Sequence, residues 1–205
     1  QNGMAFTERA SGDRARIASA LGSMAFSLRF QGEWNQVEKL LLERNQLYLE
    51  IGSSKGVDGT RFSRAMILLA RGKLEEAKAE TKLFIDYCQR IGDRNMQATG
   101  RLLLGQIAEI ENDLEGAVEY LQEGLNMAKE IGMQDTTAII LIFLGRIKVQ
   151  QGYWELAIPY MRESLIVVKS GKVGTDGPAI VFCQIGGMLL ENKPRIAVQF
   201  LGYSE

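Results

Sequence analysis

Apolar residues recur along this chain at steps of three and four. Between residues 114 and 128 they fall at Leu114, Ala117, Val118, Leu121, Leu125 and Ala128. That spacing places all six on one face of a helix. Forty residues later the same columns hold Trp154, Ala157, Ile158, Met161, Leu165 and Val168. No run alternates with period two, so no strand is predicted. A polar turn opens each amphipathic segment. Gly32-Glu33-Trp34-x-x-Val37 recurs as Gly72-Lys73-Leu74-x-x-Ala77, Asn112-Asp113-Leu114-x-x-Ala117 and Gly152-Tyr153-Trp154-x-x-Ala157. A worn copy stands at Asn192-Lys193-Pro194-x-x-Ala197. The interval is 40 residues each time, with no insertion or deletion. A fixed period of this size predicts stacked supersecondary units, which present surfaces rather than catalytic clefts. The second segment of each unit ends at Gly52, Gly92 or Gly132, each preceded by Ile. Such a glycine closes a helix by adopting the left-handed conformation, and Asp93 then suits the N-cap of the next helix. Each unit therefore reads as helix, turn, helix and glycine stop: an αα-hairpin.

The register predicts units at 13–52, 53–92, 93–132 and 133–172, with a partial one at 173–205. All belong to a single array spanning 1–205. Gly12-Asp13-Arg14 stands 80 residues before Gly92-Asp93-Arg94 and reads as the same connector. Residues 1–12 are then expected to be the tail of an earlier second helix. Pro194 suits the first position of the last helix. Both ends read as interior to a longer solenoid, which predicts end-to-end self-association through uncovered apolar residues.

Length alone favours HEAT or armadillo units, whose period is about 40, over tetratricopeptide units of about 34. The residue columns decide otherwise. Twelve positions before each motif alanine lies a small residue, at Ala25, Ala65, Gly105 and Gly145, then Ile185. Leu104-Gly105 and Leu144-Gly145 resemble the Leu-Gly pair of tetratricopeptide repeats. Ala77, Ala117, Ala157 and Ala197 resemble that family's small residue, with Leu41, Leu121, Met161 and Leu201 in its large apolar column. Gln184-Ile185-Gly186-Gly187 departs from the pattern in the last unit. The resemblance implies an all-α, α-α superhelix of about five antiparallel hairpins. The 40-residue variety with Gly-Asp-Arg connectors is similar to the helical arrays of MalT-like bacterial signalling ATPases and transcription regulators. It implies the sensor or interaction arm of such a protein; a free-standing scaffold or peptide-pheromone receptor is the alternative.

The same resemblance implies that first helices line an inner groove that binds a protein, a peptide or a small inducer. One inward column holds Gly22, Phe62, Leu102, Ile142 and Phe182. The next holds Phe26, Met66, Gln106, Arg146 and Gly186, and a third holds Arg29, Leu69, Glu109, Val149 and Leu189. An apolar groove with Gln106, Glu109 and Arg146 as polar handles is one reading; burial of some of these residues between neighbouring long helices is the other. The carboxylate clamp of similar co-chaperones needs Lys and Asn where Gly22, Phe26, Phe62 and Met66 stand, which disfavours chaperone C-termini.

Composition narrows the chemistry. Lys+Arg number 24 and Asp+Glu 25, a net charge of −1, so no basic stripe points to nucleic acid. No stretch of about 18 uncharged apolar residues could cross a membrane. The chain has no histidine, the commonest general base and metal ligand. Cys88 and Cys183 lie far apart in different units, which fits small core residues in a reducing, cytoplasmic compartment. Glu75-Glu76 and Glu109 with Glu111 read as solvated helix surface rather than acid/base dyads. The connectors Gly52-Ser53-Ser54-Lys55-Gly56 and Ser170-Gly171-Lys172-Val173-Gly174-Thr175 do not match G-x-x-x-x-G-K-[ST] and follow no strand. No enzymatic activity, metal or cofactor is expected.

Overall fold

A computed structural model describes residues 2–170, 181 and 183–188, with the side chains at 2–11, 26, 29–30 and 54–59 outside that set. Eight helices occupy the described residues: α1 (Asn2–Phe30), α2 (Trp34–Glu50), α3 (Ser54–Ala70), α4 (Leu74–Arg90), α5 (Arg94–Ile110), α6 (Leu114–Glu130), α7 (Gln134–Gln150) and α8 (Trp154–Lys169). No strand occurs among the described residues.

Among the described residues the turns at 32, 52, 72, 92, 112, 132 and 152 fall where the 40-residue register puts them, and one hydrogen-bond pattern closes all seven. Gly32, Gly72 and Gly152 adopt φ of 75°, 72° and 81°, and Gly52, Gly92 and Gly132 adopt 68°, 71° and 74°. The residue after each donates its N–H five residues back, as Lys73 does to Leu68 (2.9 Å), Asp93 to Cys88 (2.9 Å) and Met133 to Ala128 (2.8 Å). This satisfies a carbonyl orphaned at the helix end and needs a left-handed residue between. Asn112, at φ 62°, fills that position in the third hairpin, since asparagine tolerates it better than other residues with a β-carbon. Asp93 and Asp113 cap the following helices: their Oδ1 atoms accept from Met96 N at 3.1 Å and Gly116 N at 2.9 Å.

One expected break is missing. α1 runs unbroken through Gly12-Asp13-Arg14, so no connector separates residues 1–12 from the first unit. Gly12 does not take positive φ. Ser11 stands there in place of the Ile that precedes Gly52, Gly92 and Gly132, so the turn lacks its apolar anchor. A glycine inside a helix costs only about 1 kcal/mol relative to alanine, and Asp13 pairs with Arg16 one turn on.

Contacts divide the chain into two units, 1–87 and 88–205. In the first, Ala25 of α1, Val37 and Leu41 of α2 and Ile67 of α3 form a buried cluster, with Leu28, Trp34 and Leu40 packed against it. The α3–α4 hairpin is joined by the Phe62 and Phe84 rings, centroids 5.3 Å apart. In the second unit, Ala108 of α5 and Ala117, Leu121 and Leu125 of α6 meet Ile140, Leu141, Leu144 and Ile147 of α7. A further cluster joins Ala138 and Ile142 of α7 and Ala157 and Met161 of α8 to Val181, Ile185 and Met188. The amphipathic face predicted for α8 holds except at Ile158, which is 39% exposed. The turn at residue 192, Ala197, Leu201 and the helix opened by Pro194 lie outside the described residues, as does the C-terminal half of the end-to-end association.

The small-residue columns mark the tightest approach of α5 and α6. A β-carbon added to Gly105 would lie 2.5 Å from Leu121 Cγ and 3.4 Å from the Ala117 carbonyl oxygen. Ala117 and Leu121 are both fully buried. Ala117→Leu is therefore expected to cost about 1–3 kcal/mol by overpacking. Thermal melts check this, and an unchanged midpoint would mean that the column is not packed as described.

Candidate functional site

The first helices carry two recesses, one in each unit. In the first unit, Phe62 and Met66 of α3 are half-buried. With Gly22, Ala25, Val37, Leu41, Ser63 and Ile67 they line a mostly apolar recess of about 360 Å³. The groove residue expected at Phe26 lies outside the described side chains.

The second unit places its polar candidates in one network. α5 supplies Glu109 near its C-terminus, and α7, beside it, supplies Arg146 and Gln150. Arg146 Nε donates to Glu109 Oε1 at 2.7 Å, and Nη2 donates to Oε2 at 2.5 Å. The guanidinium thus grips the carboxylate in a fork, the strongest geometry for this pair. Arg146 Nη1 donates to Gln184 Oε1 at 2.9 Å, and Gln150 Nε2 donates to Glu109 Oε1 at 2.9 Å. The guanidinium carbon also lies 4.3 Å from the centroid of the Phe143 ring, a cation–π contact that fixes its plane. Side-chain exposure is 27% for Arg146 and 5% for Glu109. The Glu109 carboxylate is therefore enclosed by its partners and not on the solvated helix surface expected for it, while part of the guanidinium faces solvent. Beside the network Arg146, Val149, Gln150, Cys183, Gln184, Gly187 and Met188 line a recess of about 570 Å³.

The remaining candidates divide. Gln106 is half-buried on α5. Leu102 is half-buried and packs against the core between α5, α6 and α7. Ile142 does not face a groove: it is 2% exposed within the cluster formed by α7, α8, Val181, Ile185 and Met188. Helices of 17 residues bury part of the first column against the next hairpin, and Ile142 is enclosed in that way. Phe182 lies outside the described residues. Gln150, Gln184 and Phe143 were missed because none stands in the three inward columns; Gln184 follows Leu104 and Leu144 in the Leu-Gly column. Their links to Glu109 and Arg146 span 41, 38 and 3 residues, the reach of long side chains to the adjacent turn. No group of three or more His, Cys, Asp or Glu side chains among the described residues could hold a metal ion, and no described helix is long and apolar enough to cross a membrane.

Antiparallel hairpins with glycine-closed turns, a small-residue seam and a polar network across successive first helices define an all-α helical-repeat domain of the tetratricopeptide-like, α-α superhelix class. Residues 98–131, covering most of α5 and α6, match the family model of the tetratricopeptide repeat. Among solved structures, the apo form of RapI superposes with a TM-score of 0.68 at 11% identity, covering 91% of this chain and 52% of RapI. BtubC (BKLC) from P. vanneervenii gives 0.64 at 15% identity, covering 97% of this chain and 93% of that one. A putative kinesin light chain with nearly identical TPR-like repeats from Podosopora anserina gives 0.62 at 13%, covering 92% of both chains. At these identities the likeness is one of fold. The chain spans about half the length of RapI. No curated protein matches it.

Proposed function

We propose that this chain is a peptide- or protein-binding repeat domain and that its second unit receives the ligand on the face of α5, α7 and residues 183–188. The observation that carries this reading is the Arg146–Glu109–Gln150–Gln184 network standing on the wall of the 570 Å³ recess. A recess with a few fixed polar groups and an apolar lining is the usual form of a binding site. Here the polar groups predominate, and Val149 and Met188 are the apolar side chains among them. The half-buried Phe62 and Met66 make the first unit's recess a place for an apolar side chain.

In the finer reading the domain is the sensor or interaction arm of a larger cytoplasmic signalling ATPase or transcription regulator. The unbroken register and its Gly-Asp-Arg connector at 92–94 support it. A free-standing scaffold or peptide-pheromone receptor is the alternative. A phosphate-binding loop or helix-turn-helix elsewhere in the gene separates the two.

Selection of short peptides from a display library on the immobilised chain tests the site itself. Gln150→Ala and Gln184→Ala are expected to weaken a selected peptide about tenfold together, the loss of about 1.4 kcal/mol. Leu156→Ala, exposed on α8, is expected to leave binding unchanged. Binding lost in the α8 variant and kept in the glutamine variants would refute the placement.

A further inference from the structure

Arg146 is the cation of the recess, and it is already committed. Its Nε and Nη2 hold both oxygens of Glu109, and its Nη1 holds Gln184. Three of its five N–H groups are used in this way, and the fork best suited to a carboxylate is filled. Gln150 fastens Glu109 from the other side. The four side chains carry one positive and one negative charge, so their sum is zero. We infer that Glu109 is a built-in counter-ion that sets the ligand class: the recess takes an uncharged stretch of extended peptide and rejects carboxylates. This inference rests on the peptide-binding reading above.

The physical argument has two parts. An incoming anion that reaches the open edge of Arg146 meets the fixed charge of Glu109 directly behind it. The enclosed carboxylate, 5% exposed, is poorly screened by water. Attraction and repulsion then largely offset each other, and like-charge opposition of this kind excludes wrong partners more than it strengthens right ones. A peptide main chain has no such conflict. Its carbonyls accept from the two remaining N–H groups of Arg146, and the side-chain amides of Gln150 and Gln184 offer both donors and acceptors. Half-buried Val149 adds an apolar wall.

The two partners are also unequal. Glu109 is enclosed and depends on Arg146, whereas Arg146 at 27% exposure can be solvated from the recess. Glu109→Gln therefore frees a cation in place, with an amide of nearly the same shape behind it. The test uses two pools of short acetylated peptides of random uncharged sequence, identical except that one ends in a carboxamide and the other in a free carboxylate. Retention on the immobilised chain is read by mass spectrometry. The wild-type chain is expected to retain the carboxamide pool at least as well as the carboxylate pool. Glu109→Gln is expected to shift the ratio toward the carboxylate pool by about tenfold. Glu109→Gln/Arg146→Gln, which removes both charges together, is expected to return it. A wild-type preference for the carboxylate pool, or an unchanged ratio in a Glu109→Gln chain that still retains peptides, would overturn the inference while leaving peptide binding intact. If circular dichroism shows Glu109→Gln unfolded, the wild-type ratio decides. Retention of neither pool by any form of the chain would overturn both readings.

Discussion

Ile142→Asp is expected to unfold the α7–α8 hairpin rather than to weaken a ligand. The side chain is 2% exposed and sits among Ala138, Ala157, Met161, Val181, Ile185 and Met188. Loss of the isoleucine alone costs about 2–5 kcal/mol through lost burial and the cavity left behind. A carboxylate in that place has no cation within its cluster and adds several kcal/mol more, or takes up a proton and remains an unsatisfied polar group. The sum rivals the whole stability of a typical domain, about 5–15 kcal/mol. Ile142→Val removes one methylene and is expected to cost about 0.5–1.5 kcal/mol. Circular dichroism melts of the two variants and the parent give the order. An Asp variant melting within about 4 °C of the parent, the shift that about 1 kcal/mol produces, would show that Ile142 is not enclosed.

The features legible in the sequence were those set by local chemistry repeated in register. A left-handed glycine after Ile closes a helix whatever packs around it, so the breaks at Gly52, Gly92 and Gly132 could be read directly, and so could the cap at Asp93. The same rule misplaced a break at Gly12, where Ser11 stands for the apolar anchor and the helix continues. The site was legible only by column. Treating residues 40 apart as equivalent brought Glu109 and Arg146 to one face, and the structure joins them. It also put Ile142 beside Leu102 and Phe62, although the three have different surroundings. Phe62 borders a recess, Leu102 is half-buried against a core, and Ile142 is sealed beneath Val181, Ile185 and Met188. A column fixes the direction of a side chain from its own helix but not what the next hairpin lays over it. Gln150 and Gln184 escaped for a related reason: long side chains join across a helical turn, so the network runs oblique to the repeat.

Arg146→Ala is expected to destabilise the second unit by about 2–4 kcal/mol. Removing one member of a buried ion pair costs about 3–5 kcal/mol, because the other charge is left enclosed and unpaired. Arg146 is 27% exposed, so part of its contribution is screened and the lower part of that range applies. Loss of the guanidinium from the Phe143 ring, 4.3 Å away, adds about 0.5–1 kcal/mol. If the penalty arises from Glu109 standing alone, a second substitution should relieve it. Glu109→Gln on the Arg146→Ala background keeps an amide that can still meet Gln150 and removes the stranded charge. The double variant is therefore expected to recover at least half of the loss, a coupling that only neighbouring groups show. Urea unfolding of the parent, both single variants and the double variant closes the cycle, with slopes compared to confirm the same unfolding transition. Costs that simply add in the double variant would mean that Glu109 does not depend on Arg146, and the enclosed pair would lose its role as the fixed point of the site.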